Sequence, residues 1–281
     1  MSRRWQQVRH QLRRNRPAQF SLFMLFIFVI AAFCAGLSPY DPDHMALGAR
    51  TLPPDAAHWF GTDEYGRDYF TRALYGGQIS LMVGFLAMIF STLIGTIVGT
   101  VSGYFGGWLD NLMMRAVDIL MAIPAFFLLL VVNAYLKPGV DNIILIISLL
   151  TWMNMSRLVR AETLSVKERE YVLYARASGE HPLRIIVRHI IPGVLPTIIV
   201  AATLNIASAI LMESTLSFLG LGVQAPAASW GSMLNNAQSY IGEASWLAMF
   251  PGILILLTVF SFNVLGDVFR TAFEPGANRD E

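Results

Sequence analysis

Six long runs of uncharged residues constrain this chain more than any other feature of its sequence. They are 17–40, 73–109, 119–136, 142–156, 190–212 and 244–266. A helix needs about 20 apolar residues to cross a bilayer, where its backbone polar groups must bond to one another. Of the 281 residues, 55% are hydrophobic and 14% are charged. The sequence therefore predicts an all-α membrane protein with six transmembrane helices, and the short fourth helix either continues past Arg157 or tilts little.

The distribution of basic residues predicts how these helices are oriented. With the N-terminus in the cytosol, the cytosolic segments hold 16 of the 20 lysine and arginine residues, as the positive-inside rule requires. Both termini are then cytosolic. The predicted segments are a basic N-terminal stretch at 1–17, a first helix at 18–40, an extracytoplasmic loop at 41–78, a core of five helices at 79–270 with a cytosolic loop at 157–192, and a tail at 271–281.

The charged stretch between the fourth and fifth runs has the pattern of two short helices joined by a turn. Ser165 and Glu168 have the spacing of a capping box. Gly179 is expected to end the first helix in a left-handed conformation, and Pro182 suits the first turn of the second, which Pro192 is expected to interrupt. A preorganised helix pair enters a partner's groove at little entropic cost. The stretch is therefore a candidate docking element, the alternative being an ordinary solvated loop.

The predicted extracytoplasmic loop contains a compact motif of glycine, acidic and arginine residues. Its members are His58, Gly61, Thr62, Asp63, Gly66, Arg67 and Asp68. The glycines predict turns, and Asp68 is a candidate N-cap for a short helix that leads into the second span. The motif either only fastens the loop to the helix ends or contacts a protein that delivers substrate.

Polar residues inside the second and fifth runs have different predicted roles. Small residues recur every fourth position in the second run, which predicts a stripe for close helix packing: Ser91, Gly95, Gly99, Gly103 and Gly107. The fifth run contains Asn205 and leads into Glu213, and intramembrane carboxylates are candidate functional groups because they are costly to bury. For Glu213 the sequence leaves open a place on the substrate path, a helix-pairing role and an interfacial position that reaches water.

Several motifs of enzymes and metal proteins are missing from the sequence. Neither of the two lysines, Lys137 and Lys167, stands in a phosphate-binding Gly-Lys-Ser/Thr sequence. The histidines are scattered, and the single cysteine, Cys34, is expected to serve in packing. We therefore expect no enzymatic activity, no metal site and no bound cofactor in this chain, and nothing favours nucleic acid. A stand-alone secondary transporter remains an alternative, although its expected internal repeats are not evident.

The charged stretch resembles the EAA loop of bacterial ABC importer permeases, in the variant of the peptide and nickel importers. Ala175, Gly179 and Pro192 occupy matching positions. Leu173 and Tyr174 replace the general Glu-Ala pair, as is usual in this branch. The Gly61 to Asp68 motif and the residues from Gly220 to Met233 resemble the same family, and the resemblance covers about residues 18 to 275.

This resemblance implies the second, C-type permease of a dipeptide, oligopeptide or nickel importer, with a type I transmembrane domain in the bacterial inner membrane. The implied partners are a sister permease, two cytosolic ATPases that would bind ATP and Mg²⁺, an extracytoplasmic binding protein and membrane lipid. Peptides are the favoured substrate, with nickel, a metal chelate or glutathione as alternatives. The residues implied to couple ATP hydrolysis to transport are Glu168, Glu170, Tyr171, Ala175, Arg176, Ala177, Gly179, Pro182, Arg184, Arg188 and Pro192.

Overall fold

The computed structural model describes residues 2–135 and 139–273, and these residues form helices joined by turns and loops. Apart from one isolated bridge between Thr62 and Asp68, no β-pairing occurs within them. The predicted all-α fold is confirmed. The α-helices are α1 (Ser2–Arg14), α2 (Arg16–Phe33), α3 (Tyr69–Phe105), α4 (Gly107–Ala122), α5 (Ala125–Tyr135), α6 (Val140–Lys167), α7 (Glu170–Ala177), α8 (Pro182–Ile185), α9 (Ile191–Phe218), α10 (Trp230–Ala237) and α11 (Trp246–Phe273).

Five helical segments in the described part of the chain are long and apolar enough to cross a membrane. They are α2, α3, α6, the continuous segment from α8 through α9, and α11. The predicted third span is instead divided into α4 and α5, because Ile123 takes an extended conformation ahead of Pro124, where proline disfavours helix. The predicted six crossings thus correspond to five long helices and one divided pair. Leu136, the predicted end of the third run, lies outside the described residues.

Helices α3 and α6 approach each other closely along the predicted stripe of small residues. A Cβ atom on Gly95, Gly99 or Gly103 would lie within 2.5–2.8 Å of atoms of α6, so only glycine fits at these positions. Gly107 departs from the prediction because α3 ends at Phe105. A Cβ atom at Gly107 would meet nothing within 4 Å.

Helix α9 packs against both α3 and α6, and α11 packs against α9 and α2. At one end of the bundle, which we call the hairpin end, α6, α7, α8 and the start of α9 share an apolar core. At the opposite end, the loop end, α10 packs against α3, α9 and α11. There the buried indole of Trp230 donates to the carbonyl oxygen of Ala73 at 2.9 Å, and the Tyr69 hydroxyl donates to the carbonyl oxygen of Leu247 at 2.6 Å.

The ends of two helices differ from the predicted segments. Helix α2 ends at Phe33, followed by a 3₁₀ turn, rather than at residue 40. Helix α3 begins at Tyr69, so residues 69–78 are helical instead of forming part of the loop, and no separate short helix follows Asp68. Cys34 caps α2 and is exposed within this chain, which contradicts the packing role predicted for it.

Candidate functional site

The charged stretch folds as a helical hairpin, but its first helix starts later than predicted. Helix α6 runs through Ser165 to Lys167, and α7 begins after Arg169, which occupies the N-cap position. The capping-box prediction for Ser165 and Glu168 was therefore wrong. The physical reason is tertiary packing: Val166 is fully buried in the hairpin-end core, and this keeps the last turn of α6 helical.

The turn between α7 and α8 has the predicted left-handed glycine. Gly179 has φ +73°, and its N–H donates to the carbonyl oxygen of Arg176 at 3.1 Å. The N–H of Glu180 donates to the carbonyl oxygen of Ala175 at 3.1 Å. These two bonds form a Schellman motif, which satisfies carbonyl groups that a helix end otherwise leaves free. Pro182 occupies the first turn of α8, as predicted.

Pro192 does not interrupt the second helix, contrary to the prediction. A π-helical turn at Ile186–Ile190 joins α8 to α9, and the N–H of Ile191 donates to the carbonyl oxygen of Ile186, five residues back. The wider turn changes the hydrogen-bond register just before proline, which lacks an N–H and crowds the preceding turn of a regular helix. The segment from Pro182 to Phe218 is consequently one continuous helical element.

The two faces of the hairpin differ in exposure. Val172 and Ile185 are buried against α6 and α9, whereas Tyr174 is 72% exposed. The exposed predicted coupling residues are Glu168, Glu170, Tyr171, Arg176, Ala177, Gly179, Arg184, Arg188 and Pro192, and Ala175 and Pro182 are half-buried. The hairpin is thus anchored by an apolar inner face and presents an aromatic and charged outer face.

A further ionic cluster lies at the hairpin end, where α3, α4 and α6 meet. The two carboxylate oxygens of Asp110 accept hydrogen bonds from Nε and Nη2 of Arg160, both at 2.6 Å. Ser102 donates to the same carboxylate, and the Lys167 ammonium donates to the carbonyl oxygen of Gly103 at 3.1 Å. The Arg160 hydrogen bond holds the pKa of Asp110 below its usual range, and Ser102 adds to this effect. The pairing of Asp110 with Arg160 could not be predicted from the sequence, because residues 50 positions apart give no local signal.

The motif at the loop end folds the preceding segment onto the start of α3. The Asp63 carboxylate accepts from the backbone N–H groups of Tyr65 and Arg67, both at 2.9 Å, and from Arg67 Nε at 2.6 Å. A Cβ atom on Gly66 would lie 1.9 Å from the carbonyl oxygen of Ala46, so the chain passes there only because the residue is glycine. Burial raises the pKa of the neighbouring Glu64, partly offset by a backbone hydrogen bond.

Asp68 is the N-cap of α3, as predicted. Its carboxylate accepts from the backbone N–H of Thr71 at 2.7 Å and lies 2.8 Å from Nδ1 of His58. All six predicted signature residues are buried: Gly61, Thr62, Asp63, Gly66, Arg67 and Asp68. Their burial favours the role of fastening the loop over that of direct contact with another protein.

Glu213 lies inside the chain and not at a water-exposed interface, so the interfacial option was wrong. Its carboxylate accepts from the hydroxyl groups of Ser217 at 2.7 Å and of Ser80, on α3, at 3.0 Å. The same two hydroxyl oxygens accept from the backbone N–H groups of Val223 and Trp230. Glu213 therefore links α3 and α9 to both ends of the loop that precedes α10.

Asn205 is not part of this cluster. It is half-buried on α9, eight residues before Glu213, which corresponds to about 12 Å along the helix. The two polar residues predicted in the fifth run are thus not brought together. The bond to Ser80 could not be found from the sequence, because Ser80 lies on another helix, 133 positions away. Ser217 is four residues after Glu213 on the same helix, and this spacing was a local signal for the second bond.

The long apolar helices define a class of helical protein able to span a membrane. A chain of the inward-facing MetNI methionine ABC transporter superposes with a TM-score of 0.61, covering 72% of this chain and 97% of that one at 20% sequence identity. This similarity concerns the fold, which is that of an ABC importer transmembrane domain.

Sequence comparison identifies the family within this class. Residues 91–279 match the binding-protein-dependent transport system inner membrane component, and residues 3–54 match the N-terminal transmembrane domain of oligopeptide transport permease C. The chain belongs to the family of binding-protein-dependent transport system inner membrane components. It is 42% identical to the dipeptide transport system permease protein DppC of Bacillus subtilis (96% of this chain, 85% of that protein). It is also 40% identical to the glutathione transport system permease protein GsiD of Escherichia coli (96% and 90%).

Proposed function

We propose that this chain forms half of the translocation pathway of an ATP-driven importer of dipeptides or oligopeptides. The observation that carries the proposal is the 42% identity to a dipeptide permease across 96% of this chain. A second candidate substrate is glutathione, because the chain is 40% identical to a glutathione permease over a similar length. Glutathione is itself a tripeptide, so both candidates require a pathway that admits a short, charged peptide backbone.

The proposed importer contains four further components. A sister permease would form the other half of the pathway, two cytosolic ATPases would bind ATP and Mg²⁺, and an extracytoplasmic binding protein would deliver the peptide. This chain would lie in the bacterial inner membrane with both termini and the hairpin in the cytosol. The loop end would then face the binding protein, with the buried signature from Gly61 to Asp68 holding that surface in shape.

We propose that the hairpin couples the ATPases to the membrane helices. Its outer face, which includes the exposed Tyr174 and Arg184, would lie in a groove of one ATPase. Its inner face is packed against α6 and α9 through Val172 and Ile185, so a displacement of the hairpin would move both helices. Closure of the two ATPases would then change which side of the membrane the pathway faces.

The assembly is tested by purification of the tagged full-length chain in a mild detergent, followed by mass spectrometry. We expect a second permease and two phosphate-binding-loop ATPases to copurify in fixed ratio. A matched purification of the Val172→Asp variant, whose hairpin core is disrupted, should lose the ATPases and keep the sister permease. Repeated recovery of well-folded chain without either partner would refute the proposed assembly.

The substrate is tested by uptake in cells that lack the chromosomal copy of this chain. Labelled dipeptide, tripeptide and glutathione are supplied separately, and each is competed with the other two unlabelled. Restored dipeptide uptake that excess glutathione does not inhibit supports the first candidate, and the reverse pattern supports the second. Uptake of all three that is independent of this chain would refute both.

A further inference from the structure

The first 16 residues are strongly basic and lead directly into the first membrane span. They include six arginines, and the chain has no acidic residue before Asp41. Helix α1 separates its residue types: Val8 is buried and Leu12 is half-buried, whereas Arg9 and Arg13 are exposed. Arg9 and Arg13 are four residues apart, so they lie on one side of the helix. The helix is thus amphipathic, with the guanidinium groups of Arg9 and Arg13 turned away from the protein.

The start of α2 indicates the depth of Arg16 in the membrane. Asn15 caps α2, whose first residue is Arg16, so α1 and α2 are separated by a single residue. Phe20 is 46% exposed and Phe23 is 59% exposed on α2, as expected for side chains that face lipid. Arg16 lies only about 6 Å before Phe20 along the helix. Arg16 is therefore at the level where the hydrocarbon gives way to phospholipid headgroups, and α1 ends two residues before it.

We propose that α1, with Arg16, is a binding surface for anionic phospholipid headgroups. Each basic residue near an anionic leaflet gains electrostatic attraction, and arginine donates to phosphate in a bidentate manner. Among the described residues, no ion pair within 4 Å involves Arg9, Arg13 or Arg16.

Membrane orientation alone does not account for this surface. The positive-inside rule requires basic residues near the span but no particular conformation. Here the residues are ordered on a helix that contacts both α2 and α11, so the charges are held beside two of the spans. Anionic lipid bound at this site would bridge α1 and the adjacent spans. This inference concerns the lipid around the protein and is independent of which substrate is carried.

The test measures whether anionic lipid is enriched near α1. The full-length chain carries Cys34→Ser, which replaces its only cysteine, and Gln7→Cys on the exposed side of α1, labelled with a donor fluorophore. It is reconstituted in phosphatidylcholine nanodiscs that contain a small, equal fraction of acceptor-labelled phosphatidylglycerol or acceptor-labelled phosphatidylcholine. We expect clearly higher energy transfer to phosphatidylglycerol. This enrichment should fall as NaCl is raised, because exposed charges are screened over a few ångströms at high salt.

Substitution of Arg9, Arg13 and Arg16 by glutamine is expected to abolish the enrichment. A loss of about fivefold in relative affinity per arginine gives a loss on the order of 100-fold for all three. Substitution of the same residues by lysine preserves the charge and is expected to retain most of the enrichment. This lysine variant separates the loss of charge from damage to the helix.

A matched control removes three exposed arginines from the hairpin instead, by substitution of Arg169, Arg176 and Arg188 with glutamine. The net charge changes equally, and enrichment at residue 7 is expected to be unchanged. Equal energy transfer to both lipids in the unmodified chain at low salt would overturn the proposal. So would an equal loss in the hairpin control, or a loss in the lysine variant as large as in the glutamine variant.

Discussion

The contact between α3 and α6 gives a quantitative prediction, because it depends on the absence of a single methyl group. A Cβ atom on Gly99 would lie 2.5 Å from the carbonyl oxygen of Ser156, 2.8 Å from Cβ of Val159 and 2.9 Å from the backbone nitrogen of Arg160. Ordinary contacts of Cβ atoms begin at 3.4 Å. Two of the three atoms are backbone, so Gly99→Ala forces α3 and α6 apart by nearly 1 Å instead of displacing a side chain.

The expected cost follows from two opposing effects. Overpacking of this kind costs about 1–3 kcal/mol, towards the upper end when backbone must move. Replacement of glycine by alanine within a helix returns about 1 kcal/mol. We therefore expect Gly99→Ala to lower the free energy of unfolding by about 2 kcal/mol. At about 2–4 °C for each kcal/mol, the Tm should fall by about 4–8 °C.

A matched control is Gly252→Ala in α11, where an added Cβ atom meets nothing within 4 Å. This variant keeps only the helix-propensity gain, so its Tm should rise by about 2–4 °C. Both are measured on purified full-length chain in one detergent, by heating aliquots and quantifying the monodisperse fraction. If Gly99→Ala raised the Tm as much as Gly252→Ala does, the close approach of α3 and α6 would be refuted.

Three further predictions concern the hairpin, the buried carboxylate and the ionic cluster. Gly179→Val should abolish transport without loss of expression, because a β-branched residue is disfavoured at φ +73°, whereas Gly179→Asn should retain most transport. Equal transport by the two variants would contradict the coupling role of the hairpin. Glu213→Ala should destabilise the chain by about 2–4 kcal/mol and expose the loop that precedes α10 to protease, while Glu213→Gln, which keeps one acceptor oxygen, should lose less stability. Identical proteolysis of the two variants would count against the linking role of Glu213. The folded-state pKa of Asp110 is lowered by Arg160, so the stabilising contribution of Asp110 is present above its unfolded pKa of about 3.9 and is lost as pH falls through the folded value. Asp110→Asn should therefore lower the Tm at pH 7 and make the Tm decline less steeply in acid. Parallel curves of Tm against pH for the variant and the unmodified chain would refute this.

The positions of the long helices could be predicted from the sequence because burial in lipid requires uncharged runs of sufficient length. The small-residue stripe was likewise predictable, since the fourfold spacing places Gly95, Gly99 and Gly103 on one face. The prediction that Gly107 belongs to this stripe was wrong, because periodicity does not reveal that α3 ends at Phe105. Pro124 is a visible signal of the break in the third span, but the absence of charged residues alone does not show that a proline divides the run into two helices.

Contacts between distant residues could not be predicted in the same way. Ser165 and Glu168 have correct capping-box spacing, yet burial of Val166 extends α6 through them. The loop signature was recognisable because its turns and its cap at Asp68 are local. The bond of Glu213 to Ser80 joins residues 133 positions apart, and it depends on how α3 and α9 pack, which no local pattern encodes.

The continuous element from α8 through α9 connects the two ends of the bundle. From Pro182 to Glu213 it rises about 45 Å, so the hairpin at one end and the carboxylate that holds the loop before α10 at the other belong to a single helix. Its departures from regular geometry all lie near the hairpin: the π-helical turn at Ile186–Ile190, and two prolines that donate no backbone hydrogen bond, Pro192 and Pro196. Kinks in helices form at such positions, so any bend of this element is expected next to the hairpin. Beyond Pro196 the helix has no further proline or π-helical turn up to the Glu213 cluster. Under the coupling role that we propose, a displacement of the hairpin would therefore reach the loop end through a regular helix.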